Sequence, residues 1–210
     1  MNLNDIRQEY LQQPLDIENY QDPTILLKKW FQDAIDDEIN LVNAITLSTV
    51  DSAGYPNARV VLAKEISEKG LIIYTDYNSK KGKELELNPN VAVTVFWKEQ
   101  DRQIRIKAKA SKISQAESEK YFRSRPLESQ ISATASQQSA IVDMKDLQTK
   151  VESLTKNITE SSIKCPLNWG GYFLEFNEIE FWQGRPSRLH DRFQFKLENG
   201  SWGQSLRLSP

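Results

Sequence analysis

Histidine, cysteine and long apolar runs are scarce in this sequence, and each shortage excludes a class of protein. The 210 residues contain one histidine, His190, and one cysteine, Cys165, so neither an internal disulfide nor a structural zinc set can form. No stretch approaches the roughly 20 apolar residues of a membrane-spanning helix, and the N-terminus lacks the apolar run of a signal peptide. We therefore expect a cytoplasmic protein without a metal centre.

Neither the glycines nor the net charge indicates a nucleotide-binding loop or a nucleic-acid surface. The eight glycines form no GxGxxG and no GxxxxGK motif, so neither a Rossmann site nor a P-loop is readable. The 27 basic and 29 acidic side chains give a formal charge of -2, which draws the chain neither to nucleic acid nor to an anionic membrane. Any anion site must be built from local clusters of side chains.

The apolar pattern predicts a mainly β protein with helices, of the α+β class. Short β-branched and aromatic runs between Ala44 and about residue 113 are separated by turn signals. Most of these connections are too short for helical crossovers, so the strands are expected to pair antiparallel. Before them, three- and four-residue spacing predicts an amphipathic helix over residues 24–40, whose apolar face carries Leu27, Trp30, Phe31, Ala34 and Ile35.

The rest of the chain predicts further helices and a return to strands. Ser79 is placed to cap one helix, a second begins at Ser114, Pro126 can open a third as its first residue, and residues 144–157 form a fourth. Strands are then expected over residues 169–176, 179–184, 192–197 and 201–208. No linker divides the chain, which favours one domain over residues 1–210, an antiparallel barrel with packed helices that follows a mobile arm at residues 1–20.

Two clusters of cations lie next to predicted rigid backbone. In SKK (79–81) the lysines occupy the first turn of a helix, where the helix dipole disfavours cations and favours a bound anion. This pattern indicates either a phosphate site or a solvated, lysine-rich helix start. RVVLAK (59–64) reads as a strand with Arg59 and Lys64 on opposite faces, which indicates two different anions or charged strand ends that reach water.

A third cluster, YFRSRPLES (121–129), places Tyr121, Arg125 and Ser129 at four-residue spacing. On one helical face they would offer a phosphate monoester one guanidinium fork and two hydroxyl donors. The alternative is that Tyr121 packs in the core and the other two side chains lie on the surface. The residues alone leave both open.

The fourth cluster is FWQGRPSRLHDRF (181–193). Arg188, His190 and Arg192 alternate, so on a strand they would share one face, with Trp182 on the other. Such cations repel one another unless an anionic or aromatic group lies between them, and a ligand would supply that group. Against this, a lone histidine is more often structural, and Asp191 can simply pair with a neighbouring arginine.

Taken together, these motifs resemble the pyridoxine/pyridoxamine 5'-phosphate oxidase family. RVVLAK, YFRSRPLESQ, SQQS, WGGY, EFWQG followed by RLHDR, and the closing RLSP occur in the family's order and at nearly its spacing. The resemblance covers almost the whole chain. It implies an FMN-binding split barrel, a homodimer with two FMN sites at the subunit interface, and oxidation of pyridoxamine or pyridoxine 5'-phosphate to pyridoxal 5'-phosphate. Dioxygen would be the electron acceptor and hydrogen peroxide the second product.

The resemblance also implies roles for individual residues. FMN would be bound by Arg59, Val60, Val61, Leu62, Lys64, Tyr74, Thr75, Lys80, Lys81, Gln103, Gln138, Ser139, Trp182 and Arg192. The substrate would be bound by Arg7, Tyr10, Lys64, Tyr121, Arg125, Ser129, Arg188 and His190. Arg188 and His190 are the candidate catalytic residues, set against the pyridine ring, and Arg7 and Tyr10 belong to an N-terminal segment that closes over the substrate.

Two departures from the family pattern and two rival functions follow from the same residues. Lys80 stands where the family usually has arginine, so a point charge replaces a two-pronged phosphate contact. Arg185 and Pro186 alter the loop before Arg188. A flavin-dependent reductase with the same barrel, and a protein that stores FMN or pyridoxal phosphate without turnover, are the rivals. A second set of phosphate-binding side chains counts against the reductase.

Overall fold

Six antiparallel strands close into a barrel in the computed structural model, which describes residues 1–4, 9–157 and 163–210. The strands run in the order β3-β2-β1-β4-β5-β6, and β6 pairs back onto β3. Their bounds are β1 (Ala44–Val50), β2 (Pro56–Ile66), β3 (Gly70–Asp76), β4 (Asn90–Trp97), β5 (Arg102–Lys112) and β6 (Trp169–Gln183). Beyond β6 the sheet continues with β7 (Asp191–Glu198), β8 (Ser201–Trp202) and β9 (Leu206–Arg207).

Five helices surround the barrel. They are α1 (Pro23–Asp36), α2 (Lys80–Leu87), α3 (Gln115–Ser124), α4 (Leu127–Ala135) and α5 (Met144–Asn157). The predicted caps are confirmed: the Ser79 hydroxyl accepts from the Gly82 N–H, and Ser114 forms a capping box with Glu117. The antiparallel barrel with packed helices is therefore confirmed. No helix in the described ranges is long and apolar enough to span a membrane.

Two apolar clusters hold these elements together. In the larger one, Trp30 of α1 packs edge-to-face on Phe181 at 5.1 Å between ring centroids, inside the barrel core. In the smaller one, Phe122 of α3 and Ile131 of α4 pack around Trp169 at the start of β6. The second cluster fixes α3 and α4 beside one end of the barrel, where they form a wall of the cavity described below.

Several boundaries predicted from sequence are wrong. The helix predicted over residues 24–40 ends at Asp36. Ile35, which was predicted to lie on its apolar face, is 52% exposed because it lies at the edge of the apolar stripe, one residue before the helix ends. Residues 169–183 form one strand, since a bulge at Asn177 absorbs the break in alternation that suggested two. Residues 201–208 form only the short strands β8 and β9. Pro126 is the N-cap of α4, not its first helical residue.

Residues 188–190 do not form a strand, so the shared face that a strand would give Arg188, His190 and Arg192 does not exist. Pro186–Arg188 form a 3-10 turn, in which Ser187 and Arg188 adopt left-handed φ angles of 56° and 60°. Proline cannot donate to a strand ladder, so the chain leaves the sheet after Gln183 and returns at Asp191. Arg188 and His190 therefore do not share a strand face with Arg192.

Gly82 offers a test of how tightly α2 is seated against the barrel. Alanine normally favours a helix by about 1 kcal/mol over glycine. Here, however, a Cβ at residue 82 would lie 2.1 Å from the backbone carbonyl oxygen of Tyr77, which cannot rotate away. We expect Gly82→Ala to lower the free energy of unfolding by about 1–3 kcal/mol, measured by urea denaturation.

Gly203→Ala is the matched control, because a Cβ there would meet only the Lys196 carbonyl oxygen at an ordinary 3.6 Å. It should leave stability within about 0.5 kcal/mol of the parent. A Gly82→Ala protein as stable as the parent would contradict the close packing of α2 on Tyr77.

Candidate active site

A cavity of about 1090 Å³ lies between the outer face of β2, the end of β3, the start of α2 and the α3–α4 segment. It brings together most of the residues that the sequence assigns to a site. The predicted residues that line it are Arg59, Val60, Val61, Leu62, Lys64, Tyr74, Thr75, Lys80, Lys81, Tyr121, Arg125, Ser129, Gln138 and Ser139.

A buried ammonium group marks one end of the cavity. Lys81 is 6% exposed, and its Nζ donates to the Thr75 hydroxyl at 2.8 Å and to the Gln138 amide oxygen at 2.7 Å. Burial, with a smaller contribution from the positive charge of Arg59, lowers the pKa of Lys81 to about 8, against the opposing effects of Asp76 and Glu84. The first-turn N–H groups of α2 lie at the same end and favour an anion. This end of the cavity is suited to a phosphate.

Arg59 is held beside Lys81 by a buried carboxylate. Its guanidinium donates to Oε2 of Glu84 at 3.2 Å and to the Thr49 hydroxyl, and Glu84 is only 4% exposed. The other Glu84 oxygen accepts from the Asn57 amide at 2.9 Å. Lys80 is more loosely tied, with Nζ 2.9 Å from the Asn57 side-chain oxygen and most of its side chain in solvent. Arg59 is thus a positioned fork and Lys80 a movable point charge.

A second cationic group lies against an aromatic stack elsewhere in the cavity. The rings of Tyr74 and Tyr121 stack at 3.8 Å, Trp169 continues the stack, and the Arg125 guanidinium lies 4.8 Å from the centroid of the Trp169 ring. Within the described ranges, Nη1 of Arg125 is buried and has no hydrogen-bond partner. Burial lowers the pKa of Arg125. An unpaired buried donor of this kind is suited to an anionic ligand.

The helical face predicted for Tyr121, Arg125 and Ser129 does not exist. Helix α3 ends at Ser124, and Arg125 is extended because it precedes a proline. Ser129 lies in α4, beyond the break. The cavity nevertheless includes all three residues, because α3 and α4 fold back around it. Tyr121 both stacks on Tyr74 and lines the cavity, so neither of the two expectations for this tyrosine was complete.

Strand β2 presents the alternation that its sequence predicts. Val60, Leu62 and Lys64 are exposed, while Arg59 and Val61 are half-buried on the other face. A bulge between Ala63 and Glu65 then shifts the register of β2 against β3. Arg59 and Lys64 both line the cavity, but only Arg59 belongs to the end that contains Lys81.

The remaining described site residues form a separate cluster at the other end of β6. Trp182, His190 and Tyr10 pack together, with ring centroids 4.8 to 5.4 Å apart. The Arg185 backbone N–H donates to His190 Nδ1 at 3.1 Å. Burial, and then the charge of Arg188, lower the pKa of His190, while Asp191 opposes them.

Arg192 and Gln103 belong to the same cluster through the sheet. Both residues pair with Trp182, Gln103 from β5 and Arg192 from β7. Arg192 donates through Nε and Nη2 to one oxygen of buried Glu180, at 2.9 and 2.8 Å. Asp191 pairs with Arg207 and, at 3.8 Å, with Arg185, in agreement with the structural alternative. Arg7 lies outside the described residues.

These two groups cannot form one site within a single chain. Trp169, beside the cavity, and Trp182 occupy opposite ends of β6. Thirteen residues of strand span roughly 40 Å. β2 and β5 also lie three strands apart in the six-stranded barrel. If both groups serve one ligand, they must come from different chains.

Sequence reasoning missed three residues that organise the cations. Glu84 and Thr49 hold Arg59, and Glu180 holds Arg192. Glu180 lies in the quoted EFWQG motif, but nothing in the linear sequence indicates its partner. Glu84 follows Ser79 on a helix that was correctly predicted, yet its contact with Arg59 depends on the packing of α2 against β1 and β2.

The chain matches two family models. Residues 31–156 match the model described as pyridoxamine 5'-phosphate oxidase, and residues 169–210 match the pyridoxine 5'-phosphate oxidase C-terminal dimerisation region. Together the two matches include the cavity and all of the Trp182 cluster except Tyr10.

Proteins similar to this chain include two bacterial enzymes and one solved structure. A pyridoxine/pyridoxamine 5'-phosphate oxidase of Leptospira interrogans is 44% identical over 99% of this chain and 98% of its own length. That of Mannheimia succiniciproducens is 43% identical over the full length of both. The crystal structure of PhzG from Burkholderia lata, in complex with tetrahydrophenazine-1-carboxylic acid, has a TM-score of 0.88 and 27% identity, and the match covers 95% of this chain and 99% of PhzG. The chain belongs to the pyridoxamine 5'-phosphate oxidase family.

Proposed function

We propose that this protein oxidises pyridoxamine or pyridoxine 5'-phosphate to pyridoxal 5'-phosphate, with FMN as cofactor, dioxygen as electron acceptor and hydrogen peroxide as second product. The observation that carries the proposal is one cavity lined by two sets of cationic side chains. Lys81 and Arg59 mark one end, and Arg125 with its unpaired Nη1 marks the other. A ligand pair with two phosphoryl groups, one on the flavin and one on the substrate, matches this arrangement.

The residues present fit FMN. The Lys81 ammonium is surrounded by neutral acceptors, so its charge is available to a phosphate that also meets the N-terminus of α2. Val60 and Leu62 add exposed apolar side chains on β2, against which a flat ring system can pack. Arg59, Val60, Val61, Leu62, Lys64, Tyr74, Thr75, Lys80, Lys81, Gln138 and Ser139 would hold the cofactor from this chain.

The substrate phosphate would be held at the Arg125 end. Tyr121 and Ser129 supply hydroxyl donors beside the guanidinium, and Lys64 supplies a further charge. A charge-assisted hydrogen bond contributes about 1.5–3 kcal/mol. Three such contacts can therefore anchor a small phosphate ester, whereas a flavin reductase or a store for FMN alone has no use for a second phosphate site. The buried, unpaired Arg125 thus favours the oxidase.

A partner subunit would complete each site. The chain forms a homodimer, and the matched C-terminal dimerisation region contains Trp182, Arg188, His190 and Arg192. We place these residues, with Gln103 and Tyr10, against the cavity of the second chain, and we keep Arg7 as a proposed substrate-binding residue. This arrangement accounts for their distance from the cavity within one chain. We also propose one domain over residues 1–210 with an N-terminal arm at residues 1–20, and a cytoplasmic location.

The protein's part in the reaction is to position the substrate. When bound, FMN accepts two electrons and a hydrogen from the 4' carbon of the substrate. The cation at Arg125 fixes one end of the substrate, and Arg188 and His190 of the partner subunit would fix the ring. Apposition of the reacting atoms supplies much of the rate enhancement in such a site. No side chain needs to act as a nucleophile.

The direct test is turnover. Purified holoprotein mixed with pyridoxamine 5'-phosphate in air should produce the 4'-aldehyde and peroxide in equal amounts, and the visible spectrum should show about one FMN per chain. Bound flavin that is reduced under nitrogen by a nicotinamide donor, but not by the substrate, would instead identify a reductase. Flavin that the substrate never reduces would indicate storage.

Arg188 provides a test of the residues assigned to the partner subunit. We expect Arg188→Ala to lower kcat/KM by about 10- to 1000-fold, or roughly 1.4–4 kcal/mol, because the substrate ring loses its cationic contact. FMN content should not change, since Arg188 is not among the cofactor residues. Steady-state kinetics and the flavin absorbance measure the two quantities, and near-normal turnover would remove Arg188 from the site.

Lys81 predicts a pH dependence of FMN binding. Its pKa is lowered to about 8 in the free protein, so the free cavity loses this proton above pH 8. A bound phosphate favours the charged form, and binding must then take up a proton. The phosphate itself is already a dianion above pH 7. FMN affinity should therefore fall with rising pH above 8, by up to about tenfold per pH unit.

The measurement is the FMN dissociation constant from flavin fluorescence between pH 7 and 10. Lys81→Met should bind FMN more weakly at pH 7 and lose the slope. Lys83→Met, which removes an exposed lysine from the same helix, should keep it. The assignment of Lys81 to the phosphate is wrong if Lys81→Met retains the parent slope.

A further inference from the structure

The chain's single imidazole is oriented by the backbone of a strained turn. The backbone N–H of Arg185 donates to Nδ1 of His190 at 3.1 Å. The 3-10 turn Pro186–Arg188 makes this contact possible, because its left-handed residues bring the chain back on itself within five positions. Leu189 closes the turn by donating its N–H to the Pro186 carbonyl at 3.2 Å. The contact is therefore built into the loop and does not depend on a flexible side chain.

Two aromatic side chains, which also contact each other, pack against the ring. The centroid of the Trp182 ring lies 4.8 Å from that of the imidazole, and the Tyr10 ring packs edge to face on the imidazole at a centroid distance of 5.2 Å. Tyr10 in turn packs on Gly184, where a Cβ would come within 2.7 Å of the tyrosine ring. With one ring nitrogen hydrogen-bonded and two aromatic side chains packed against the ring, the imidazole has little freedom to flip.

The backbone contact determines where the imidazole proton resides. An N–H can donate to Nδ1 only if Nδ1 carries a lone pair, so the ring proton must be on Nε2. A doubly protonated ring would place two N–H groups against each other. The surroundings also favour a neutral ring, because burial and the positive charge of Arg188 lower the pKa of His190. Asp191 opposes them, but its carboxylate already pairs with Arg207 and accepts from the Leu15 N–H.

We propose that the Arg185 backbone N–H locks His190 as the neutral Nε2–H tautomer, and that His190 serves the site as a hydrogen-bond donor to an acceptor atom of the substrate, not as an acid or a base. The proposal rests on the proposed function. Among the described residues, Nε2 has no protein hydrogen-bond partner, which leaves its N–H available to a ligand. Arg185 is then a positioning residue that acts through its main chain.

The tautomer can be read directly, because His190 is the only histidine. We expect the FMN-loaded dimer, labelled with 15N in its imidazole, to show one set of ring correlations of the Nε2–H form at pH 7.5. Titration should give a pKa below the ordinary 6.5. Arg185→Ala, which keeps the backbone N–H, should leave the tautomer unchanged. An Nδ1–H form, a mixture of both tautomers, or a pKa above 6.5 would overturn the proposal.

Two substitutions of His190 distinguish the roles of its two ring nitrogens. His190→Asn keeps an acceptor near the Nδ1 position but has no donor at Nε2, whereas His190→Gln can place an amide N–H near Nε2. We expect kcat/KM with pyridoxamine 5'-phosphate to fall about tenfold in the Asn variant and to recover at least in part in the Gln variant, mainly through KM. Between pH 6.5 and 9 the shape of the parent profile should persist in both.

Equal losses in the two variants would overturn the donor role, and a limb between pH 6.5 and 9 that disappears in both would show that the imidazole acts as an acid or base. The spectroscopic result does not depend on turnover. A parent protein without oxidase activity but with the Nε2–H form would refute the proposed function and leave the lock intact.

Discussion

A buried ammonium group without an adjacent carboxylate is costly to fold, and Lys81 carries such a group. In the part of the chain that the structure describes, its Nζ contacts only the oxygens of Thr75, Gln138 and Ser79. The neighbouring carboxylate of Glu84 is already engaged by Arg59. Asp76 and Glu84 offset the positive charge of Lys81 only in part, because burial still lowers the pKa of Lys81. Anionic ligands relieve this cost, and ligands that bind only the folded state stabilise it.

Arg125 repeats the same principle at the second end of the cavity. An arginine does not lose its proton at ordinary pH, so the guanidinium stays charged. The unpaired Nη1 of Arg125 therefore lowers the stability of the free protein. The aromatic ring of Trp169 compensates only in part, because a cation over a ring is weaker than a paired one. Both cationic groups would therefore be stabilised by anionic ligands in the cavity beside the barrel. Binding sites commonly carry strain of this kind, which the remainder of the structure offsets.

The sequence predicted most of the local structure, because caps, turns and periodicity act over a few residues. Ser79 and Ser114 begin their helices as expected, and β2 alternates as its residues predict. The predictions that failed depended on contacts between distant residues or on a single hydrogen bond. Residues 186–188 form a 3-10 turn, so Arg188 and His190 lie off the strand face that they would share with Arg192, and the bulge at Asn177 joins two expected strands. The carboxylates that hold Arg59 and Arg192 were invisible, because pairs between distant elements leave no local pattern.

Strand β6 connects the cavity to the Trp182 cluster. Its first residue, Trp169, closes the aromatic wall of one cavity, and Trp182, near its last residue, belongs to the cluster that would serve the cavity of the other subunit. In the proposed dimer, each copy of β6 would contribute to both sites. An isolated chain would possess every residue of the reaction and still be unable to perform it. Activity would therefore depend on dimer formation. A change in the pitch or length of β6 would alter both the cavity beside Trp169 and the cluster around Trp182.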